Sequence, residues 1–452
     1  MENAMQPKII PRTEHRISRK QINPYVLRTL YRLRDNGFIA YLIGGCVRDL
    51  LLERTPKDFD IVTDATPGQI KRLFRNCRLV GRRFRLAHLY YQDQILEVST
   101  FRAAAPDDEG ETPDQDDRPP RHLKDQAGMV LCDNVFGTPQ EDALRRDFTI
   151  NALAYNIADF SVIDYADGLS DLSAGMIRTI GDPYIRFTED PVRMLRAVRF
   201  AASHNFVIEN GAWRSLCHLS WTISRATPGR LYEEMLKLFL MGAGCRVFEL
   251  METSGLLLPV FPALSQWLSA KSDHRKALCL SLNNIDQQCR AGIPPSPALF
   301  FAIFFGPCLE EKIYLRHREG IPYAQALDEI CAVFLKECSQ TVNIPGRVGN
   351  QMRGIMTLRH FIRRLPPRRP ANLAARPEFT DALAFLRLGA GDDRKCLAAL
   401  SWWDAYLART TAPEPDLQDV EKTSTKKRRK RKRRRRPAAS LTLSSEVIVE
   451  EE

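Results

Sequence analysis

The chain holds no apolar run long enough to cross a bilayer. Its tract Pro297 to Gly306 (PALFFAIFFG) falls well short of the ~20 apolar residues that a transmembrane helix needs. The N-terminus, MENAMQPKIIPRTEHR, lacks the apolar core of a signal peptide. There is no Cys-x-x-Cys among the 11 cysteines, which are odd in number and scattered. That argues against a zinc ribbon and a disulfide framework, and fits buried thiols in a reduced cytosol. No internal repeat is visible. Charge is even except in one place. Of 66 lysines and arginines, eleven form the unbroken run Lys426 to Arg436, and the other 55 match the 55 acidic residues. Such a block cannot fold alone and attracts polyanions. At 452 residues the chain has room for roughly two to four domains.

What the sequence does carry is concentrated between Leu42 and Thr63, LIGGCVRDLLLERTPKDFDIVT. An apolar strand, Phe38 to Ile43, ends at Gly44-Gly45. A short helix from about Val47 to Leu52 follows, then a strand with Asp58 and Asp60. Side chains two apart on a strand share a face, so the two carboxylates stand together. They repel unless a cation neutralises them, and oxygen ligands suit Mg²⁺. The paired glycines let backbone approach a ligand and offer N–H groups as a phosphate nest. Arg48, one turn into the helix, can reach the same phosphates.

A Gly-Gly-x-Val-Arg-Asp run followed by an Asp-x-Asp strand resembles motif A of the class II nucleotidyltransferases. That family comprises the tRNA CCA-adding enzymes and the bacterial poly(A) polymerases. The resemblance is dense from about Ile17 to Leu240 and looser beyond. Arg145 to Asn151 (RRDFTIN) is similar to the family's motif B, which implies phosphate contact by Arg146. For Asp147 the resemblance implies either a ribose hydrogen bond or assistance at the metal centre, and the sequence leaves both open. Glu97, alone among carboxylates on the strand Ile95 to Phe101, stands where the family places a third acidic group near the metals.

Glu189 to Ala202 (EDPVRMLRAVRFAA) reads as one helix. At 100° per residue from Asp190, Arg193, Arg196 and Arg199 fall at about 300°, 240° and 180°, opposite an apolar face. EDPVR is similar to the family's Glu-Asp-x-x-Arg motif. The resemblance implies that Asp190 and Arg193 read the base edge in place of a nucleic acid template, and that Arg196 and Arg199 hold the triphosphate.

The rest of the chain supplies the frame. Asn23-Pro24 caps a helix that stops at Gly37, and Thr66-Pro67 starts another. Ala87 to Tyr91 and Ile95 to Phe101 form a hairpin around Gln92-Asp93. Pro106 to Pro120, with seven acidic residues and four prolines, is a mobile loop. Leu231 to Met241 is an amphipathic helix ended by Gly242. Trp402-Trp403 sits in the last helix, where it packs in a core or stacks on bases.

The fold expected is α+β, with four parts: an α/β nucleotidyltransferase head (1–168), a helical neck for base recognition and RNA contact (169–265), a helical RNA-binding body (266–412), and a disordered basic tail (413–452). No His-Asp pair marks the phosphohydrolase domain that is fused to some CCA-adding enzymes. Leu79 to Leu89 (LVGRRFRLAHL), the lead-in ISRKQIN at Ile17 and the basic tail resemble the bacterial poly(A) polymerases rather than the CCA-adding enzymes. The resemblance implies cytoplasmic addition of AMP from ATP to RNA 3′ ends, for mRNA processing and decay. Asp58 and Asp60 would hold two Mg²⁺ ions for in-line attack on the α-phosphorus. Two rivals remain: a CCA-adding enzyme, and an inactive RNA-binding protein on a transferase scaffold. Intact Asp58, Asp60, Arg146 and EDPVR weigh against the second.

Overall fold

The computed structural model describes residues 6–81, 86–92, 94–103, 122–124, 130–133, 136–389 and 393–411. The RRFR segment at 82–85, Asp93, the acidic loop 106–120 and the tail 413–452 lie outside the described residues. The chain divides into two units, 1–401 and 402–452.

Twelve strands form among the described residues: β1 Lys8–Ile10, β2 Ala40–Ile43, β3 Asp60–Thr63, β4 Cys77–Val80, β5 Leu86–Tyr91, β6 Gln94–Thr100, β7 His122–Lys124, β8 Val130–Asp133, β9 Leu153–Asn156, β10 Val162–Asp164, β11 Met176–Ile177 and β12 Val207–Ile208. Eight of them make one sheet in the order β1-β10-β9-β2-β3-β6-β5-β4. Every pairing in it is antiparallel except β3 with β6. The parallel pair needs a crossover, which the helix Pro67–Leu73 and the strands β4 and β5 supply. Thr66 caps that helix in a reciprocal box with Gln69, as Thr66-Pro67 leads one to expect.

Central position explains the composition of β2. Ala40, Leu42 and Ile43 are all buried, with β9 on one side and β3 on the other. β3 begins exposed at Asp60 and turns inward through Ile61, Val62 and Thr63. Asp60 therefore stands at the lip of the sheet, and Asp58 precedes the strand rather than lying on it. Ile43, Val62, Phe101, Ala152, Ala154 and Ile163 pack together beneath this lip.

From Pro183 onward the described chain is helical apart from β12. The expected single helix through EDPVR is broken. Pro183–Glu189 ends at Asp190, which has extended backbone, and Val192–His204 begins after Pro191. Proline lacks an N–H and disfavours helical backbone in the residue before it, so Asp190 is displaced from both helices into the corner between them. The second helix buries Met194, Leu195, Val198, Ala201 and Ala202, as its periodicity predicts.

The PALFFAIFFG tract lies in the helix Pro297–Arg318, where Phe300, Phe301, Phe304 and Phe305 are fully buried, Phe300 and Phe304 against Phe239 and Phe304 and Phe305 against Phe261. At about 1.5–3 kcal/mol per buried large side chain, the tract is core of the helical region. No helix among the described residues is long and apolar enough to cross a membrane. In the second unit Trp403 is buried, while Trp402 stacks on Tyr406 with centroids 5.3 Å apart.

Candidate active site

One cleft of about 650 Å³ gathers Gly44, Gly45, Arg48, Asp58, Asp60, Arg146, Asp147, Asp190, Arg193, Arg196 and Arg199. These are all the expected site residues except Glu97. They come from four places: the turn after β2 with the helix Gly45–Leu51, the approach to β3 with its first residue, the segment after Arg145, and the corner at Asp190 with the helix Val192–His204 that follows it.

Gly44 has φ +79° and ψ −132°, a conformation open to glycine alone. The close approach it permits is made by protein. A Cβ built there would lie 2.9 Å from Arg146 Nη1. Its N–H donates to Leu153 O at 3.1 Å, because the β2–β9 ladder continues into the turn, so that N–H is not offered to a phosphate. The glycine makes room for a guanidinium. Gly45 opens the helix Gly45–Leu51 and meets only Arg48 Nη2, at 3.6 Å from a built Cβ.

Arg48 is buried and clamped. Nε and Nη2 donate to Asp49 Oδ1 at 2.9 and 2.7 Å, and Nη1 donates to Asn151 Oδ1 at 2.8 Å. Asn151 Nδ2 donates in turn to Asp147 Oδ1 at 3.1 Å, and Arg196 donates to Asp147 Oδ2 at 2.6 Å. Asp49, Arg48, Asn151, Asp147 and Arg196 thus form a continuous polar chain across the floor of the cleft. Asp147 also accepts from Phe148 N at 2.9 Å. Burial pushes its carboxyl up, but Arg196, Asn151, Arg193 and the Phe148 N–H together hold it below the usual range. Both oxygens of Asp147 thus accept from protein donors, Oδ1 from Asn151 and Phe148 and Oδ2 from Arg196.

Asp60 is the opposite case. Loss of water around it raises its carboxyl, Glu97 and Asp58 raise it further, and Arg146 and Arg196 only partly oppose the rise. Its ionised form is only partly neutralised by Arg146 and Arg196, and a cation at this point would complete the neutralisation. Asp58 and Asp60 are hard oxygen donors and fit Mg²⁺. Glu97 is the register partner of Asp60 across the parallel β3–β6 pair, so its charge reaches the site. Its carboxylate, however, lies outside the cleft lining, 3.6 Å from His88 Nε2. Among the described residues no three His, Cys, Asp or Glu side chains gather as ligands of one ion.

Asp190 Oδ2 accepts from Arg230 Nη2 at 2.9 Å, and Arg193 Nη1 donates to Glu189 Oε2 at 3.2 Å. Arg199 pairs with Glu234 at 2.9 Å. Phe200 carries the guanidinium carbons of Arg199, Arg48 and Arg196 at 4.8, 5.0 and 5.9 Å from its ring centroid. An aromatic face attracts cations without cancelling their charge. Sequence reasoning missed Arg230 and Glu234, which lie on the next long helix, Pro228–Phe239, with no motif around them. It also missed Asn151, although RRDFTIN contains it. Arg54 and Lys57 further line the mouth.

A carboxylate pair facing a basic cleft, at the lip of a mixed sheet joined to helices, defines a nucleotidyltransferase. Three family models match this chain: the Poly A polymerase head domain over residues 40–178, the probable RNA and SrmB-binding site of polymerase A over 205–268, and the polymerase A arginine-rich C-terminus over 319–437. It is 41% identical over 410 residues to poly(A) polymerase I of Salmonella typhi, covering 90% of this chain and 87% of the relative. A CCA-adding enzyme of Lactobacillus gasseri is 36% identical over 230 residues, 51% of this chain and 53% of the relative. The crystal structure of the Bacillus stearothermophilus CCA-adding enzyme in complex with CTP shares the fold, with TM-score 0.61, 22% identity, and 86% and 83% of the two chains covered. The chain belongs to the poly(A) polymerase family.

Proposed function

We infer that this chain adds AMP from ATP to RNA 3′ ends without a template, in the cytoplasm. The observation that carries the reading is the cleft in which Asp58 and Asp60 share one wall-to-wall space with Arg146, Arg193, Arg196 and Arg199. Similarity to a poly(A) polymerase over 90% of the chain, against 51% for a CCA-adding enzyme, favours ATP alone as substrate.

Asp58 and Asp60 would hold Mg²⁺, two ions in our reading. Bound there, Mg²⁺ would supply Lewis-acid polarisation of the 3′-hydroxyl and of the triphosphate oxygens. Arg146 stands over Gly44 beside Asp60 and meets the phosphates nearest the carboxylates. Arg196, set by Asp147, and Arg199, set by Glu234, neutralise charge that develops toward the leaving pyrophosphate. Arg48, locked on Asp49 and Asn151, positions Asp147 and gives the cleft floor its field. Asp190 and Arg193 read the base: an acceptor and a donor suit the amino group and ring nitrogen of adenine. Residues 1–168 carry the chemistry, 169–265 the base reading, and 266–412 with the basic tail hold RNA.

The test is incubation with a generic RNA, Mg²⁺ and each NTP separately, then with a tRNA lacking its CCA end and both ATP and CTP. Long A-tracts on either RNA are expected. A defined C-C-A product limited to tRNA would assign the CCA-adding activity, and no extension in any condition would return the inactive RNA-binding protein.

A further inference from the structure

Arg186 lies outside the cleft lining and outside every motif, yet it joins the segment that carries Arg146 to Glu189 and Arg193. Its Nη2 donates to Arg145 O at 2.5 Å and to Arg146 O at 2.7 Å. Its Nη1 donates to Glu189 Oε2 at 2.9 Å, the same oxygen that accepts from Arg193 Nη1 at 3.2 Å. Arg193 Nη1 also donates back to Arg186 O at 2.9 Å. One side chain therefore grips the backbone that carries Arg146 and, through Glu189, the guanidinium of Arg193. Burial and the neighbouring Arg193 lower its guanidinium to about 10, against the pull of Glu189 and Asp147. A buried cation is costly to keep unless its partners are well placed. Glu189 is shared between two guanidiniums, so this trio keeps one net positive charge.

A nucleotide in the cleft spans a fixed length from base to α-phosphorus. On the reading above, Arg193 meets the base of that nucleotide, and Arg146 with Asp60 meets its phosphates. We propose that Arg186 is a positioning residue that sets the distance between the base-reading pair and the carboxylate end, and so makes correct base contact a condition for alignment of the α-phosphate. This rests on the reading of Asp190 and Arg193 as the base readers. A wrong base that misses Arg193 leaves its phosphate misplaced, and misplacement of reacting atoms by about 1 Å lowers rate by roughly 100-fold.

The experiment measures kcat and KM for ATP, CTP, GTP and UTP with the full-length protein, Arg186→Lys and Arg193→Ala, with melting curves for each. Lysine keeps the charge but cannot hold two carbonyls and a carboxylate in one plane. Arg186→Lys should lower kcat for ATP by roughly 10- to 100-fold, the scale of such misplacement, with KM for ATP changed less. Rates with the other nucleotides should fall little, so the preference for ATP shrinks. Equal losses for all four nucleotides, with Arg193→Ala altering the preference, would overturn the role of Arg186 alone. An unaltered preference in Arg193→Ala would overturn the base-reading assignment and this inference with it. If Arg186→Lys does not melt cooperatively, Glu189→Gln takes the charge out of the same bridge at constant shape and carries the same expectations.

Discussion

Arg196 donates to Asp147 across 2.6 Å, and that contact fastens the helix Val192–His204 to the segment that carries Arg146. Asp147 is buried while Arg196 is 40% exposed. Its lowered carboxyl contributes stability that is present above the unfolded pKa, about 3.9, and is lost as pH falls through the lower folded value. Asp147→Asn should cost about 2–4 kcal/mol at pH 7, the range for breaking a buried pair discounted for solvent at Arg196. Urea melts should show that difference at pH 5 to 8 and a smaller one below about pH 4. An equal difference at all pH values would remove the charge from the explanation.

Asp60 has the opposite sign. Its folded carboxyl is raised, so the ionised form works against folding once pH passes the unfolded pKa, and that penalty persists at neutral pH. In EDTA, Asp60→Asn should melt higher than the natural protein. Added Mg²⁺ should raise the melting temperature of the natural protein and not of the variant. Asp58→Ala and Asp60→Ala should remove most turnover with the fold intact, and near-normal turnover in either would sink the metal assignment.

The two glycines should separate cleanly. Gly44→Ala forces a side chain into a positive-φ position and moves Arg146, at a cost of about 1–3 kcal/mol with a higher KM for ATP. Gly45→Ala meets only ordinary contact and should stay near neutral in stability. Denaturant midpoints and ATP kinetics for the pair check this.

Base choice should depend on Asp190 and Arg193. Arg193→Ala or Asp190→Ala should lower ATP use and narrow discrimination against UTP and GTP, with on the order of 1.5–3 kcal/mol at stake per charged hydrogen bond. Arg230→Ala, which frees Asp190, should give part of the same effect. Natural nucleotide ratios in all three would place selectivity elsewhere.

Deletion of everything after Thr425 removes the run Lys426 to Arg436. Each phosphate neutralised on a single strand contributes roughly −0.7 to the slope of log affinity against log salt. RNA titrations at several salt concentrations should give a flatter slope and higher KM for RNA after deletion, with KM for ATP little changed. Identical slopes would free the tail of any hold on RNA.

The local motifs were legible because each is a short run whose chemistry is complete in itself. Gly44-Gly45, Asp58-x-Asp60, Arg146 and the arginines of Val192–His204 all reach one cleft. Partners were not legible. Nothing around Glu234 or Arg230 marks them out, since a glutamate or arginine on an amphipathic helix has a solvated face as its ordinary fate. Arg48 reads as a phosphate clamp from its place in the helix after the glycines, whereas its contacts to Asp49 and to the distant Asn151 show only in the structure. The break at Asp190 follows from Pro191, and helical periodicity alone runs straight across it. Glu97 stands in register with Asp60, yet its carboxylate lies outside the cleft lining near His88, because strand position gives adjacency and not the direction of a carboxylate.

β1 pairs with β10, so that Lys8 stands opposite Asp164, and β2 borders β9, which starts at Leu153. A nascent chain emerges in sequence order. At about 5–20 residues per second, the first strand is without its neighbour for roughly 8–30 seconds, and the buried edge of β2 is open for about 6–22 seconds. An apolar strand edge left unpaired is a template for other chains. Fragments that stop short of Leu153 should therefore self-associate, and light scattering from such fragments beside the full-length protein checks it.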